Sequence, residues 1–230
     1  MTLEEAIYER HSVRSYVEEP LAAELTTELK CEIEKVNKES RLEIKLVTDE
    51  PKAFKGYKSY GAFHGVENYI VVAGKKSADL DYRAGYYGER LVLFAQTLGL
   101  NTCWVGLTYG KSTAARFMED SSKIVAVISI GYGKTQGSRH KIKTVEQVSN
   151  ASDATPQWFR SGVEAALLAP TAVNQQKFRF EYIGETADGK GLIRAKRGFS
   201  LIGYTKLDLG IACLHFELGA GKDNFEWSRE

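Results

Sequence analysis

The chain has 230 residues, of which 43% are hydrophobic and 27% charged, a composition typical of a globular protein with a sizeable core. Its length allows one large domain or two small ones. The formal net charge of +1 provides no long-range positive field, so nucleic-acid binding is not expected and any basic site must be local.

Histidine, cysteine and apolar patterning exclude several further classes. The four histidines are scattered, with no spacing that would hold zinc. The three cysteines are far apart and in apolar contexts, which predicts free thiols in a reducing compartment. No apolar run approaches the ~20 residues needed to span a bilayer, and the amino end has no apolar signal segment. We therefore expect a cytoplasmic protein without a metal site.

The first half of the sequence predicts helices and strands in alternation. Thr2 and Glu5 have capping-box spacing and start a short helix that reaches about Arg10. After Pro20, apolar residues at helical spacing predict an amphipathic helix over "PLAAELTTELKCEIEKV". Strands are predicted over "RLEIKLVTD", "NYIVVAG" and "KIVAVISIGYG". Between the last two lies an apolar helix, "YRAGYYGERLVLFAQTLGL", which ends before Gly99.

A polar stretch, "TVEQVSNASDATPQWF", separates residues 1–150 from a second half, residues 151–230. Thr155 as a cap and Pro156 at the first helical position predict a helix that continues to about Leu168. A short turn follows, then strands "KFRFEYIGE" and "LIRAKR" and a second apolar helix, "LDLGIACLHFELGAG". Because several strands follow one another directly, the order favours an α+β fold over a doubly wound sheet.

The two apolar helices share a spacing of glycine and phenylalanine. At a constant offset, three residues of the first helix correspond to three of the second: Gly88, Phe94 and Gly99 to Gly210, Phe216 and Gly221. A Val-Asn pair also occurs at residues 36–37 and 173–174, as if each half ran helix, Val-Asn turn, strand and central helix. One interpretation is chance similarity between helices. The other is two related halves packed around a pseudo-twofold axis.

The segment "ERHSVRSY", residues 9–16, concentrates donors for an anion. Arg10 and Arg14 are four residues apart with Ser12 between them, and a phosphate binds forked guanidinium groups and a hydroxyl. A solvated basic patch is the alternative interpretation. The stretch "SRHKIKTVEQV" adds three basic residues at alternating positions, which point to one side if the chain is extended: Arg139, Lys141 and Lys143.

The stretch "LLAPTAVNQQKFRF", residues 167–180, inserts a small, uncharged, amide-rich turn between an apolar helix and a strand. One interpretation is a simple helix end, with the Asn and Gln side chains satisfying the last carbonyls of the helix. The other is a wall of a ligand site that faces the basic segment.

Four segments together resemble the FMN-dependent nitroreductase family. They are "YERHSVRSY", "GERLVLFAQTLGLNTCWVGL", "AVISIGYGKTQGSRHKIKTVEQV" and "LLAPTAVNQQKFRFEYIG". In that family two α+β subunits form an obligate homodimer, and each FMN lies between subunits. One subunit supplies an Arg-Arg/His-Ser-x-Arg segment, and the other supplies an Ala-Pro-Ser-x-x-Asn-x-Gln-Pro-Trp turn. The resemblance implies an α+β nitroreductase-like fold.

The position of the turn departs from the family pattern. In the family the turn follows the basic segment closely, whereas this chain has "CEIEKVNKES" there and the turn only in its second half. The second half has no basic segment of its own. The resemblance therefore implies a fused pseudo-dimer with one FMN, in which residues 1–150 supply the basic corner and residues 151–230 the turn. Thr171 replaces the family's Ser, and Lys177-Phe178 replaces Pro-Trp. The resemblance therefore does not define the substrate side of the site.

The resemblance also assigns roles to residues. The FMN phosphate is expected to contact basic and hydroxyl groups: Arg10, His11, Ser12 and either Arg139 or Lys141. Arg14 is expected at the N1–O2 edge of the flavin, where a cation favours the reduced anion. The flavin ring is expected to lie against the small turn residues, with amides at its polar edges: Pro170, Thr171, Ala172, Asn174 and Gln176.

On the reactive side, the backbone of Val105 and Gly106 is expected to face flavin N5 or O4, with Gly106 leaving the opposite face free for a substrate. An aromatic stretch, "YKSYGAFHG", supplies three candidate substrate contacts: Tyr60, Phe63 and His64.

The implied activity is that of an FMN-dependent NAD(P)H oxidoreductase. NAD(P)H donates hydride to the flavin and leaves, and a nitroaromatic, quinone or similar acceptor then takes the electrons in a ping-pong sequence. The expected partner is this small molecule, not a nucleic acid or a membrane, and the fused chain is a monomer or a homodimer. Two alternatives keep the fold: a flavin- or ligand-binding protein without turnover, and a flavin-free scaffold.

Overall fold

The computed structural model describes residues 1–55 and 62–228. Its α-helices are α1 (Leu3–Glu9), α2 (Ala23–Ser40), α3 (Leu80–Thr97), α4 (Lys111–Ala115), α5 (Val145–Val148), α6 (Gln157–Leu167) and α7 (Thr205–Ala220). The predicted capping box of α1 is confirmed, since Glu5 N–H donates to Thr2 Oγ1 and Thr2 N–H donates to Glu5 Oε2.

The strands are β1 (Glu43–Val47), β2 (Asn68–Lys75), β3 (Asn101–Val105), β4 (Ser122–Gly131), β5 (Phe178–Glu185), β6 (Gly191–Arg197) and β7 (Phe225–Trp227). One sheet has the order β1-β2-β4-β3, with every neighbouring pair antiparallel. The other has the order β5-β6-β7, with β5 antiparallel and β7 parallel to β6. The α+β prediction is confirmed. The short strands β3 and β7 are not predicted by the sequence pattern.

Helices α3 and α7 form the centre of the molecule and approach each other at two glycines. A Cβ atom on Gly85 would overlap the carbonyl oxygen of Leu207, and a Cβ atom on Gly210 would overlap the carbonyl oxygen of Tyr82. Because residue 85 meets 207 while residue 82 meets 210, the two helices run in opposite directions where they cross. Only glycine allows backbones to come this close.

A polar network is buried beside this crossing. Glu89 of α3 and His215 of α7 are both fully buried, and Glu89 Oε1 lies 2.9 Å from His215 Nε2. Trp104 Nε1 of β3 donates to Glu89 Oε2 at 2.7 Å, and His215 Nδ1 lies 3.2 Å from the carbonyl oxygen of Ala165 in α6. The network therefore connects three helices and a strand of the first sheet.

The repeat predicted from the sequence is wrong in two details. Val36 and Asn37 lie inside α2 rather than in a turn, and the Asn37 side chain bonds the backbone of Ile44. At the helix crossing the counterpart of Gly210 is Gly85, whereas Gly88 makes room for the ring of Trp104.

The start of α6 also differs from the prediction. Pro156 is the N-cap residue, one position before the first helical residue, because its backbone is extended. Thr155 Oγ1 bonds Ser152 and does not cap the helix. In the described part of the chain, no helix has the length and hydropathy required to cross a membrane.

The helix crossing generates a stability prediction. Gly210→Ala should lower the free energy of unfolding by roughly 1–3 kcal/mol or more, because the new methyl group meets backbone atoms of Tyr82 and Tyr86 that cannot rotate away. Helix propensity alone would favour alanine by ~1 kcal/mol, so the propensity effect has the opposite sign. Chemical denaturation measures the difference.

The matched control is Gly198→Ala, where the nearest atom to a new Cβ lies 3.3 Å away. The control should change stability by less than ~1 kcal/mol. Equal stability of Gly210→Ala and the parent protein would contradict the proposed close crossing.

Candidate functional site

The basic segment and the proline turn, which are far apart in sequence, line the same pair of cavities. The apolar cavity, of about 330 Å³, lies between β3, the turn and the start of α7, and its lining includes Ser12, Arg14, Phe63, Trp104, Val105, Gly106, Pro170, Thr171 and Ala172. The adjoining basic cavity, of about 290 Å³, is lined by residues that include Arg10, Ser12, Arg14, Arg139, His140, Pro170, Thr171 and Asn174. Ser12, Arg14, Pro170, Thr171 and Val173 line both. The two segments therefore face each other as expected.

Two larger clefts lie nearby, of about 600 and 570 Å³. Their linings carry charged side chains of both signs, such as Glu67 and Lys134 in the first and Asp81 and Lys111 in the second. The smaller pair is the better ligand site, because it combines an apolar wall with convergent donors.

The basic segment is held in place by the first sheet. Val13 N–H donates to the carbonyl oxygen of Thr102 in β3 at 3.0 Å, and Ser12 forms a bridge to the same residue. Tyr16 is buried, and its hydroxyl donates to the carbonyl of Val13 at 2.7 Å. Burial raises the pKa of Tyr16 well above its ordinary value, so it stays a neutral donor. With Val13 and Tyr16 in the core, Ser12 and Arg14 face the cavities.

Arg10 is a buried cation at the basic cavity. It is only 5% exposed, its Nη2 donates to Ser12 Oγ at 3.3 Å, and its Nε has no partner in the part of the chain that the structure describes. No carboxylate within that part forms an ion pair with Arg10, Arg14 or Arg139. A buried guanidinium without a counter-charge is costly, so this position favours an anionic ligand.

The alternating basic residues Arg139, Lys141 and Lys143 do not all line the basic cavity. Of the two alternatives for the phosphate, Arg139 lines the basic cavity, while Lys141 does not. Lys143 turns away to donate its Nζ to the carbonyl oxygen of Gln176 at 2.7 Å. His140, which the sequence pattern does not single out, lines the cavity instead. His11, expected at the phosphate, does not line the basic cavity; it lines a separate cavity of about 370 Å³, and its Nδ1 lies 3.0 Å from the carbonyl oxygen of Glu9.

The surroundings of His140 disfavour its charged form. Burial lowers its pKa; a contact of its Nε2 with the carbonyl oxygen of Leu167 at 3.3 Å opposes this effect, and the nearby Arg10 and His11 lower the pKa further. With Nε2 facing the Leu167 carbonyl oxygen, the single N–H of a neutral imidazole donates there, and the ring adds no charge to the repulsion among the cations.

The proline turn has an unusual backbone. Val173, Asn174 and Gln176 all have positive φ, at 45°, 56° and 45°. Such conformations cost on the order of 1–3 kcal/mol each for residues other than glycine, and they cluster at functional sites. Val173 is also 75% exposed, although it is apolar, and lines both cavities. Neither feature is predicted by the sequence.

Asn174 and Gln176 connect the turn to the basic stretch. Asn174 Nδ2 and Gln176 Nε2 donate to the carbonyl oxygen of Lys141 at 2.7 and 3.0 Å, and Gln176 Oε1 accepts from Lys143 N–H at 2.9 Å. Gln176 is only 3% exposed and does not line either cavity. Its expected contact with a ligand is therefore corrected: its amide is used to hold the two loops together. Asn174 lines the basic cavity.

Asp208, in the first part of α7, anchors the turn from the other side. Its Oδ1 accepts from Ala172 N–H at 2.9 Å, and its Oδ2 accepts from Gln175 Nε2 at 2.6 Å. Asp208 is 1% exposed, and burial raises its pKa to about 6, although the bonds from Ala172 and Gln175 act in the opposite direction. An acidic residue near the start of an apolar helix is the one sequence signal for this role.

The Val105–Gly106 backbone lies at the apolar cavity, as expected, but one face of Gly106 is covered. A Cβ atom on Gly106 would lie 2.6 Å from the Tyr204 ring. Tyr204 has a positive φ of 60° and directly precedes α7. The expectation that Gly106 leaves an open face is therefore wrong, because Tyr204 occupies that space.

The candidate substrate contacts separate into three cases. Phe63 is 6% exposed and lines the apolar cavity. His64 lies in the 600 Å³ cleft and bonds Arg14 and Tyr16 through its backbone, so it is not part of this site. Tyr60 lies outside the described residues.

Metal binding has no support in the described residues, where no three His, Cys, Asp or Glu side chains are grouped to hold an ion. The donors of the site are cations and neutral amides, which suit an anion.

Comparison with known proteins identifies the fold. Residues 2–220 match the family described as "Putative TM nitroreductase". A Thermotoga maritima protein described as a "putative nitroreductase" is 24% identical, with a TM-score of 0.63 over 97% of this chain and 85% of that chain. A Desulfovibrio desulfuricans "putative nitroreductase in complex with FMN" is 18% identical, with a TM-score of 0.51 over 68% of this chain and 99% of that one.

A nitroreductase family protein from Streptococcus pneumoniae is 12% identical, with a TM-score of 0.52 over 64% of this chain and 98% of that chain. Among curated proteins, no sequence matches this chain significantly. At these identities the solved structures show a shared fold alone, whereas the family match covers nearly the whole sequence. The chain belongs to the family described as "Putative TM nitroreductase".

Proposed function

We propose that the chain binds FMN in the paired cavities and is an NAD(P)H-dependent oxidoreductase. The observation that carries this proposal is Arg10, a buried guanidinium with an unpartnered Nε, at the end of a site whose other end is apolar. A ligand with an anionic end and a flat apolar end matches both halves. The FMN complex of the Desulfovibrio desulfuricans structure agrees with this choice.

The residues present fit the anionic end of FMN. Arg10 and Arg139 offer guanidinium groups, and Ser12 offers a hydroxyl on the same cavity wall. A phosphate there supplies the counter-charge that the described protein groups do not. Arg14 lines both cavities, so it places a cation where the phosphate end and the ring end of the ligand meet.

The apolar cavity fits the ring. Trp104 and Leu207 provide apolar walls, and Pro170 and Ala172 are small enough to let a flat ring approach the backbone. When bound, the flavin supplies hydride transfer from NAD(P)H to a nitroaromatic, quinone or similar acceptor. The chain's own contribution is to bind, orient and shield the ring. Arg14 stabilises negative charge that develops beside it.

A second candidate function is flavin binding without turnover. The observation that favours it is Tyr204, whose ring lies against Gly106 at the apolar cavity, where the resemblance expects free space for a substrate. Turnover then requires Tyr204 to move or an acceptor to approach from the side of Val173 and Ile202, which are exposed at the cavity mouth.

We further propose that the chain is a fused pseudo-dimer, with residues 151–230 as the shorter copy. Each half contains helix, strand, strand, helix and strand in order: α2-β1-β2-α3-β3 and α6-β5-β6-α7-β7. In the first sheet β2 and β3 run in the same direction because both are antiparallel to β4, and in the second sheet β6 and β7 are parallel. Removing β4 from the first arrangement gives the second. Residues from both halves build one site, which requires no partner subunit.

Flavin titration tests the function and the stoichiometry together. We expect one FMN per chain by calorimetry, and loss of the yellow colour when NAD(P)H is added without oxygen. Retention of colour with bound FMN would support the non-turnover candidate. Failure to bind FMN would refute both, and two FMN per chain would refute the single-site pseudo-dimer.

Arg10→Ala should weaken FMN binding by roughly 10- to 100-fold, because charge-assisted hydrogen bonds contribute about 1.5–3 kcal/mol. The free protein should not lose more than ~1 kcal/mol of stability, since the substitution removes a buried charge that has no ion-pair partner in the described residues. Calorimetry and thermal unfolding measure the two effects.

Arg179→Ala is the control, because it removes a 43% exposed guanidinium paired with Glu181 in the second sheet. It should leave FMN affinity unchanged. Equal losses of affinity in the two variants would contradict a specific role for Arg10.

Asp208 makes the stability of the turn depend on pH. Its folded pKa of about 6 lies above the ordinary 3.8, so the folded state holds the proton more tightly than the unfolded state. Protonated Asp208 therefore stabilises the fold fully below about pH 4, and this contribution falls as pH rises through 6. Two pKa units correspond to roughly 3 kcal/mol.

The measurement is the unfolding free energy of the parent protein minus that of Asp208→Asn, from pH 4 to pH 7.5. The difference should fall toward pH 6.5 and level off above 7. A difference that stays constant across the range would contradict the raised pKa.

A further inference from the structure

Exposed apolar side chains are grouped at the mouth of the apolar cavity. Three of them line that cavity and are nevertheless exposed: Leu107, Val173 and Ile202. Phe199 and Leu201 belong to the same loop as Ile202 and are 81% and 92% exposed. We call these five side chains the apolar rim. Single exposed apolar residues are ordinary on a protein surface, whereas a group of large ones marks a face that binds something.

The apolar rim lies on two loops that are joined to each other. The loop between β6 and α7 turns tightly at Ser200, whose Oγ accepts a hydrogen bond from Ile202 N–H at 3.2 Å. Gln175 Nε2 of the proline turn donates to the carbonyl oxygen of Gly203 at 3.0 Å and to the carboxylate of Asp208 at 2.6 Å. The apolar side chains are therefore presented on an anchored support.

The chain around the apolar rim is basic. Residues 190–206 include no Asp or Glu, but they include Lys190, Arg194, Lys196, Arg197 and Lys206. Lys177 adjoins the start of the loop, since its carbonyl oxygen accepts a hydrogen bond from Gly198 N–H at 2.6 Å. Lys177 and Arg197 are both exposed, and neither forms an ion pair within residues 1–55 and 62–228. Two cations without a counter-charge in that part of the chain therefore flank the rim.

This combination matches an anionic lipid surface. A bilayer takes up apolar side chains at the boundary between headgroups and acyl chains, and anionic headgroups attract nearby Lys and Arg side chains. A second copy of this chain is a poorer match. In a twofold contact the same patch meets itself, so the cations that flank the two rims would repel each other.

Surface docking does not require a transmembrane segment. The sequence predicts no membrane partner because no apolar run is long enough to span a bilayer, but a protein that lies on a bilayer needs no such run. The exposure of the rim depends on tertiary structure, so the sequence pattern does not reveal it.

We propose that the apolar rim docks on an anionic lipid bilayer. Phe199, Leu201 and Ile202 then insert at the level of the headgroups and upper acyl chains, while Lys177 and Arg197 contact the headgroups. Docking brings the mouth of the apolar cavity to the bilayer surface. The docking surface is argued from exposure and charge, so it does not depend on the proposed flavin chemistry.

Flotation of the full chain with unilamellar vesicles tests the proposal. The parent protein should bind vesicles of phosphatidylglycerol and phosphatidylcholine in equal parts roughly tenfold or more tighter than vesicles of phosphatidylcholine alone, because each cation near an anionic surface contributes about fivefold. Phe199→Ser combined with Leu201→Ser should weaken binding to the mixed vesicles roughly tenfold or more. Lys177→Gln combined with Arg197→Gln should weaken it roughly 5- to 25-fold and make it less sensitive to salt.

Two control variants match these changes outside the apolar rim. Ile183→Ser removes an exposed apolar side chain of β5, and Lys30→Gln removes an exposed cation of α2. Each should leave vesicle binding within about twofold of the parent. The four substituted positions at the rim are exposed and do not line the paired cavities, so these variants are expected to fold and to keep the FMN affinity of the parent.

Failure of the parent protein to bind the mixed vesicles would refute the proposal. Equal binding to both kinds of vesicle, or binding that survives the paired substitution of Phe199 and Leu201, would also refute it. Sedimentation without lipid examines the other occupant. If the parent forms a dimer that this paired substitution dissociates and does not bind vesicles, the apolar rim is an interface between copies and the membrane proposal is refuted.

Discussion

The packing of the molecule is built around the crossing of α3 and α7 at Gly85 and Gly210. Each glycine faces a backbone carbonyl of the opposite helix, so the two helices have one possible depth of contact. The buried pair of Glu89 and His215 joins the same helices and adds Trp104, which lines the apolar cavity. Sliding one helix along the other would separate the pair and leave each side chain buried without its partner. The pair therefore opposes such sliding.

The site follows from this packing, because its two walls belong to different ends of the chain. The basic segment lies against β3, which carries Trp104, and the turn is anchored by Asp208 in α7. Fixing α7 against α3 therefore fixes the turn against the basic segment. The bonds of Asn174 and Gln176 to the stretch near Lys141 close the remaining side. The strained backbone at Val173 can persist because it is held from both directions.

Much of the site could be predicted from residue types alone. Forked donors beside a hydroxyl identified Arg10, Ser12 and Arg14, and all three line the basic cavity. The predictions of ligand contacts failed where the type of a residue does not reveal which way its side chain points. Gln176 has a typical ligand-binding side chain, but its amide forms hydrogen bonds with backbone groups of Lys141 and Lys143. His140 lines the basic cavity, although the sequence pattern draws attention only to its basic neighbours, Arg139 and Lys141.

The longer helices, the longer strands, the α+β class and the chemical character of the two segments could be predicted from the sequence, because they depend on local spacing and side-chain chemistry. The short helices α4 and α5 were not predicted. Three features of the site could not be predicted: Gly85 rather than Gly88 meets α7, Tyr204 covers Gly106, and Arg10 is buried without an ion-pair partner among the described residues. Those features depend on which distant surfaces come into contact. Contacts between residues so far apart in the chain leave no periodic signal in one sequence.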